Sequence, residues 1–322
     1  MLWFVLRRTA TGIATLFVIS ILIFLATNVL PGNAAEVILG RNANPTQVRA
    51  LEAKLDLNRS PVSQYFTWLG GLIHGSFGRS AVAEAQHRPD SAISATLASP
   101  LGNSLVLALL TAAILIPMTL LFGLLAGIHA GRKLDHAISL PSLVTGGLPE
   151  FVMATLLIFV FFNVLDVLPP VALLDPGESA LSHPDALVLP VVTLLAAAIG
   201  AGIRQVRAGM VEVLKADYVD FARLNGVDER RVLIRYALRN ALAPSVQIIA
   251  QNLQYLVGGI IIVESVFAFP GIGTYLVNAV TTRDVAEVQA AAMLLAGLYI
   301  GINVVADLIV VLLVPRLRTG LT

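Results

Sequence analysis

Glu150 is a carboxylate inside a long, otherwise uncharged stretch of this 322-residue chain. A charge within an apolar span is costly, so such a residue is a candidate for function by default. Gly146, Gly147 and Pro149 precede it, and these residues weaken a helix and open backbone groups toward a cavity. Glu150 could therefore face a solute pathway and bind a cationic group such as an amine. Alternatively, it is a protonated or internally paired carboxylate that only holds helices together.

Glu264 and Asp307 lie near the ends of two other apolar stretches. Glu264 precedes a Phe-Pro-Gly segment, Phe269-Pro270-Gly271, and we expect it at the outer membrane surface, where it could serve as a gate hinge. Asp307 follows Asn303 by one helical turn, and this pair is typical of hydrogen bonding between packed membrane helices.

Sequence signatures of an enzyme are absent. The chain has no Cys, and its five His residues are scattered over loops and span ends without a His-Glu-x-x-His pair. A Gly-x-x-x-x-Gly-Lys-[Ser/Thr] phosphate loop is also missing. The sequence therefore predicts no catalytic residues, no metal and no cofactor in this chain, and if ATP drives its action, partner subunits hold the ATP and Mg²⁺.

The elements that must position these residues are membrane helices. Apolar residues make up 57% of the chain and charged residues 13%, against about 45–50% and 25% in soluble domains. Crossing a bilayer takes about 20 helical residues, and six uncharged stretches are long enough or nearly so: 9–30, 101–128, 138–163, 186–203, 245–269 and 288–314. We expect an all-α integral membrane protein with about six spans.

The basic residues are distributed unevenly between the two faces of this six-span arrangement. One face carries 14 of the 21 Lys and Arg residues, in the segments 7–8, 132–133, 204–239 and 316–318. Because cytoplasmic loops are enriched in basic residues, we expect both termini in the cytoplasm of a bacterial cell. Residues 31–100 then form an external cap region between the first span (1–30) and a membrane core (101–322). The net charge of +1 gives no indication of nucleic-acid binding.

Residues 204–244, on the cytoplasmic face, have the pattern of two helices separated by a turn. Leu214, Tyr218 and Phe221 form an apolar stripe, Gly226 interrupts the pattern, and Asp228 can cap the second helix. The second helix carries a basic ridge, which binds either anionic lipid head groups or an acidic groove of a partner protein; the ridge comprises Arg231, Arg235 and Arg239.

The turn also carries a recognisable motif. Residues 220–226, Asp-Phe-Ala-Arg-Leu-Asn-Gly, resemble the Glu-Ala-Ala-x-x-x-Gly loop of importer permeases, with Asp in place of Glu and Phe in place of the first Ala. Residues 238–244, Leu-Arg-Asn-Ala-Leu-Ala-Pro, are similar to a segment of peptide permeases, as are residues 75–80 and 267–273. The chain thus resembles the dipeptide, oligopeptide and nickel permease family, in the subunit with the large first external loop. Gly32-Asn33-Ala34 departs from that family's usual Gly-Asp-Pro.

This resemblance implies a type I ATP-binding-cassette importer permease, with a coupling helix that inserts into an ATPase subunit. The residues it places in the coupling role are Asp217, Tyr218, Asp220, Ala222, Arg223, Asn225, Gly226, Arg235, Arg239, Asn240 and Pro244. Those expected at the translocation path or gate are Glu150, Glu264, Phe269, Pro270 and Gly271. The implied partners are a second, different permease chain, two ATPase subunits, an external substrate-binding protein and membrane lipid.

Short peptides are the substrate that this resemblance favours. Nickel chelates, heme, glutathione and other small solutes are alternatives, because related permeases share the same subunit type. A different class, an ion-coupled secondary transporter, would use Glu150 and Asp307 as ion sites, but the chain shows no internal repeat of the kind such transporters often have. A purely structural scaffold would leave the long cytoplasmic segment without a purpose.

Overall fold

A computed structural model describes residues 2–28, 59–86, 91–172 and 178–313, together with 44–46, 48, 49, 88 and 174. The α-helices are α1 (Leu2–Asn28), α2 (Pro61–Ile73), α3 (Ala81–Ala85), α4 (Ile93–Ile128), α5 (Lys133–Thr145), α6 (Glu150–Ile158), α7 (Pro184–Leu214), α8 (Asp217–Leu224), α9 (Glu229–Arg231), α10 (Arg239–Val266), α11 (Ile272–Thr282) and α12 (Val285–Leu313). Two π-helical segments, Phe159–Val164 and Val232–Leu238, extend α6 and join α9 to α10. A short 3-10 turn, Ala180–Ser182, precedes α7.

The helical prediction is confirmed, since the described ranges contain no β-strand beyond one isolated bridge. Five helices, α1, α4, α7, α10 and α12, are long and apolar enough to cross a membrane, and α5 with the extended α6 makes a sixth candidate if the bent pair counts as one span. Two of these helices extend well beyond the predicted apolar stretches. The second span begins at Ile93 rather than residue 101, so its first turns belong to the range predicted as cap. The fourth extends from Pro184 to Leu214, beyond its apolar stretch, because its last turns pack against other helices.

The third span is broken rather than continuous. The axes of α5 and the extended α6 differ by 101°, and the break falls at the Gly-Gly-x-Pro sequence 146–149 that the sequence marked as weak. Pro149 stands at the N-cap of α6, where its missing N–H costs nothing. The break packs against α7, since a β-carbon added to Gly200 would collide with the carbonyl oxygen of Ser142.

Helix α7 is the centre of the bundle and contacts α4, α5, α6 and α10. Helices buried in lipid associate through close van der Waals packing, which small residues permit. Gly123 and Gly127 of α4 provide this: a β-carbon on either would lie 2.6 Å from Cβ of Val206 or Met210 on α7. The α4–α7 crossing is therefore one of the closest in the bundle.

Helix α1 lies at the periphery and packs mainly against α12. Arg8 of α1 forms an ion pair with Asp307 of α12. Asn303 of α12 accepts a hydrogen bond from Gln254 Nε2 of α10 at 2.5 Å. Asn303 and Asp307, the pair predicted to pack helices, thus each have a polar partner on another helix.

The two ends of the bundle differ in what they carry. At one end, here called the coupling end, α4 and α7 finish, α5 begins, and Met210 packs with Ala237 and Ala241. At the other, called the cap end, α3 and α11 lie beside the first turns of α4 and α12. Part of the predicted external region, residues 31–43 and 50–58, falls outside the described residues.

Helix α2 fastens the described part of that region to α1. Ser60 caps its first turn and Pro61 begins it, a combination that favours helix initiation. Its Tyr65 ring meets Phe24 of α1 edge to face at 5.3 Å, and the Tyr65 hydroxyl bonds Ser20 Oγ at 2.9 Å. An aromatic contact therefore ties the cap region to the first span.

Candidate functional site

The segment predicted as the coupling helix is helical and forms α8, directly after the last turn of α7. Asp217 and Asp220 lie in its first turn and Arg223 in its last, which is the charge order that the helix dipole favours. Its buried face consists of Val219 and Ala222, which pack on Val232.

The opposite face of α8 is apolar and exposed. Tyr218 is 41% exposed, Phe221 68% and Leu224 86%. The stripe of Leu214, Tyr218 and Phe221 that the sequence suggested is therefore divided: Leu214, at the end of α7, packs on the cluster of Met210, Ala237 and Ala241, whereas Tyr218 and Phe221 are exposed. Val219 and Ala222 attach α8 to the rest of the chain. An uncovered apolar patch on a short helix is typical of a surface that binds another protein.

The turn after α8 has the hydrogen bonds of a Schellman motif. Gly226 has φ +77°, a left-handed conformation that suits glycine. Its N–H donates to the carbonyl of Arg223 at 2.9 Å, and the N–H of Val227 donates to Ala222 at 3.2 Å. Asn225 Nδ2 donates to the carbonyl of Phe221 at 2.7 Å. The turn therefore fixes the angle between α8 and the helix that follows it, which begins with α9.

An ion pair spans the same turn. Arg223 donates to Glu229 at 2.8 Å and to Asp220 at 3.3 Å. The hydrogen bond from Arg223 lowers the pKa of Glu229, and the bond to Glu229 raises the pKa of Arg223. Asp228 caps the second helix by accepting from the N–H of Arg230 at 3.1 Å, as the sequence predicted.

The basic residues of the second helix are exposed. Three of them line an open groove with Asp228 and Ile234; they are Arg230, Arg231 and Arg235. Because residues 232–238 are π-helical, the four-residue spacing of Arg231, Arg235 and Arg239 does not give the straight α-helical ridge that the sequence suggested.

Asn240, in the first turn of α10, donates from Nδ2 to the Tyr218 hydroxyl at 3.1 Å. The N-terminal end of α10 is thereby joined to α8. Pro244 lies within α10, but its side chain is outside the described residues.

At the cap end, Glu264 lies near the end of α10 and is buried completely among protein side chains and backbone. Its carboxylate accepts from Ser104 Oγ of α4 at 2.5 Å and from the N–H of Gly273 in α11 at 2.7 Å. Ser104 Oγ accepts in turn from the N–H of Ile272 at 2.7 Å. Residues 267–271 fold over this group, and a β-carbon on Gly271 would collide with the carboxylate.

The Phe-Pro-Gly segment is held on several sides. Phe269 is fully buried, and its N–H donates to the carbonyl of Glu264 at 2.9 Å. Asn103 of α4 donates to the carbonyl of Pro270 at 3.2 Å and accepts from the N–H of Ala180 at 3.1 Å. Four of the predicted gate residues therefore meet in one packed cluster: Glu264, Phe269, Pro270 and Gly271.

Glu150 is separate from that cluster. It stands in the first turn of α6, just after the break, and is 9% exposed. A β-carbon on Gly259 of α10 would lie 3.3 Å from Glu150 Oε1, and the half-exposed Tyr255 on the same helix lies near the carboxylate. The Glu150 side chain therefore lies against the part of α10 that carries Tyr255 and Gly259.

Sequence reasoning missed a buried ion pair at the coupling end. Asp135 of α5 is 2% exposed and accepts from Arg207 Nε and Nη2 of α7 at 2.5 and 2.6 Å. It also accepts from the N–H of Gly131 at 2.8 Å. Arg207 had been counted only as one of many basic residues. The sequence signal that could have indicated this ion pair is an isolated Asp just after a basic turn. In the fold this Asp faces α7, the helix that leads into α8.

Comparison with known proteins adds an independent view of the chain. Residues 119–319 match the family described as binding-protein-dependent transport system inner membrane component, and residues 1–89 match the N-terminal membrane component of such systems. A putative peptide transport system permease protein of Brucella abortus is 32% identical, over 98% of both chains. A putative peptide permease protein of Brucella suis and the glutathione transport system permease protein of Escherichia coli are each 33% identical, over 99% of both chains.

The candidate spans, the turn after α8 and the family matches all indicate the same class of protein, and together they extend over nearly the whole chain. The chain belongs to the family of inner membrane components of binding-protein-dependent transport systems and is a multi-pass permease subunit of an ATP-binding-cassette importer.

Proposed function

We propose that this permease forms half of a pathway for short peptides into a bacterial cell. Its coupling end faces the cytoplasm, and its cap end faces an external substrate-binding protein. A second permease chain completes the pathway, and two ATPase subunits hold the ATP and Mg²⁺. The observation that carries this proposal is α8, a short helix with an uncovered apolar face that is fixed to α7 and α10.

The exposed face of α8 has the size and composition of an anchor for a partner groove. Aromatic side chains in the centre of an interface often contribute most of its binding energy. Phe221 and Leu224 project from the chain without covering by any described residue, whereas Val219 and Ala222 hold the helix in place. The two tasks, binding and attachment, are therefore divided between opposite faces of one helix.

Replacing Phe221 with Asp tests the coupling face. We expect the permease to fold, because Phe221 is 68% exposed, but to bind the ATPase subunits more weakly by about 2 kcal/mol or more. The measurement is the amount of ATPase that co-purifies with the permease. Phe66→Asp is the matched control, since Phe66 is 62% exposed on α2. Equal loss of ATPase from both variants would contradict the assignment.

The substrate proposal rests on the relatives, two of which are named as putative peptide permeases and one as a glutathione permease. Glutathione is itself a short peptide, so these names share one chemistry. Glu150 adds a candidate contact, because a buried carboxylate beside a half-exposed tyrosine can bind a peptide amine.

Replacing Glu150 with Gln tests that contact. We expect uptake of peptides with a free amino terminus to fall about tenfold, the effect of losing one charge-assisted hydrogen bond. Uptake of amino-blocked peptides should stay the same, and the comparison uses vesicles with the complete importer. Equal changes for both kinds of peptide would assign Glu150 to helix packing.

A further inference from the structure

Helix α11 is fixed at both ends by carboxylates that are completely buried. Glu264 binds the first turn of α11, and Asp284 lies two residues after the end of α11. Both residues are 0% exposed. Neither forms an ion pair with a described cation. Burying a charge is costly unless hydrogen bonds compensate it. Both sites therefore depend on the donors that other helices supply.

Asp284 joins three helices. Its Oδ2 accepts from Ser80 Oγ at 2.7 Å and from the N–H of Val82 at 3.0 Å, both at the start of α3. Its Oδ1 accepts from the N–H of Glu287 at 3.2 Å, in the first turn of α12. Arg283, with φ +56°, ends α11 and turns the chain into this position. The start of α3 in the cap region is thus attached to the α11–α12 junction.

Glu264 provides the corresponding attachment at the other end of α11. Ser104 of α4 donates to its carboxylate and also accepts from Ile272, the first residue of α11. Gly271 and Gly273 bring the backbone so close that an added β-carbon would meet the carboxylate in either place. The first turn of α11 therefore cannot move independently of residues 267–271.

We infer that α11 is a rigid connection between the cap region and the Phe-Pro-Gly segment. When the external binding protein docks on the cap region, α11 transmits the resulting displacement to the Phe-Pro-Gly segment. The 11 residues of α11 form one helix of about 16 Å, at a rise of about 1.5 Å per residue. A displacement of α3 at Ser80 moves the C-terminal end of α11, and the N-terminal end then moves residues 267–271 against α4. Asp284, Ser80 and Glu264 are positioning residues in this connection, which rests on the proposed function.

The test uses the complete importer in nanodiscs with its ATPase subunits and binding protein. Ser80→Ala removes the hydroxyl between α3 and Asp284. We expect the stimulation of ATPase activity by loaded binding protein to fall about tenfold, while the Kd of the binding protein and the basal ATPase rate change by less than about twofold. Ser60→Ala is the matched control, because Ser60 also caps a helix of the cap region but bonds only within α2. It should keep full stimulation.

A second arm restores the connection chemically. The chain contains no Cys, so Ser80→Cys combined with Asp284→Cys gives a single reactive pair. We expect the reduced double variant to lose stimulation, oxidation of the two thiols to a disulfide by an added oxidant to restore it, and reduction of that disulfide to remove it again. Because the same molecules are compared before and after oxidation, a folding defect of the variant cannot produce this reversal.

Full stimulation in Ser80→Ala and in the reduced double variant would overturn the relay, and so would a Ser60→Ala loss of the same size. Failure of the wild-type chain to bind ATPase subunits or a binding protein would overturn the proposed function and the relay together. Loss of binding-protein affinity in Ser80→Ala, with stimulation at saturation unchanged, would make α3 a docking site only and would also overturn the relay.

Discussion

Gly226→Pro is expected to abolish transport-coupled ATPase stimulation while the spans still insert. Proline fixes φ near −65°, whereas Gly226 has φ +77°, and proline lacks the N–H that bonds Arg223 in the Schellman turn. We expect a local cost of about 3 kcal/mol or more, which α8 avoids by leaving its position. The measurement is ATP hydrolysis by the assembled importer with and without loaded binding protein.

A graded series controls for general damage at this position. No atom lies within 4 Å of an added β-carbon on Gly226, so Ala and Asn test backbone conformation alone. Gly226→Ala should cost about 1–2 kcal/mol, the penalty of a left-handed L-residue, and Gly226→Asn less, because Asn tolerates this region better. Coupling should fall in the order Gly, Asn, Ala, Pro. A Pro variant that couples as well as the wild type would contradict the coupling assignment.

Asp135→Asn is expected to produce the largest loss of stability outside the coupling turn. Removing one member of a fully buried ion pair costs about 3–5 kcal/mol; because the Arg207 side chain is 33% exposed and water can reach it, we expect the lower end of that range. Arg207 would keep its charge at the α5–α7 contact, where Asp135 is 2% exposed. Thermal unfolding of the purified permease in detergent, followed by tryptophan fluorescence or aggregation, measures the change.

The exposed ion pair of the same end supplies the control. Glu229→Gln removes the partner of Arg223 in a pair whose side chains are 37% and 56% exposed, and pairs of this kind contribute about 0–1 kcal/mol. The swapped variant, Asp135→Arg with Arg207→Asp, should recover part of the loss. Equal losses for Asp135→Asn and Glu229→Gln would show that the Asp135–Arg207 contact contributes no more than a surface pair.

Hydropathy predicted the number of spans because membrane helices must be apolar along their length. It predicted the ends of the helices poorly, since α7 continues through two arginines that have partners in the fold. Arg204 donates to the carbonyl of Ser142 at 2.9 Å, and Arg207 pairs with Asp135. A hydrophobicity pattern cannot register such partners. The helix break was predictable, because Gly146, Gly147 and Pro149 act locally.

The buried polar sites were beyond local reasoning for a simple physical reason. Glu264 meets Ser104 across 160 residues of sequence, and Ser80 meets Asp284 across 204. Only the folded bundle brings these groups together, so the sequence gives no indication of the partners of Glu264 or Asp284. The coupling and gate roles, and the division at residues 30 and 100, stay predictions.

The contact between α1 and α12 has a consequence for biosynthesis. Helix α1 is synthesised before residues 29–284, yet its main neighbour begins at Val285. At about 5–20 residues per second, on the order of 10–50 seconds pass between the synthesis of α1 and that of α12, and during this time Arg8 lacks its partner Asp307. A chain that has not yet reached α12 therefore presents one side of α1 to lipid and to quality-control proteases.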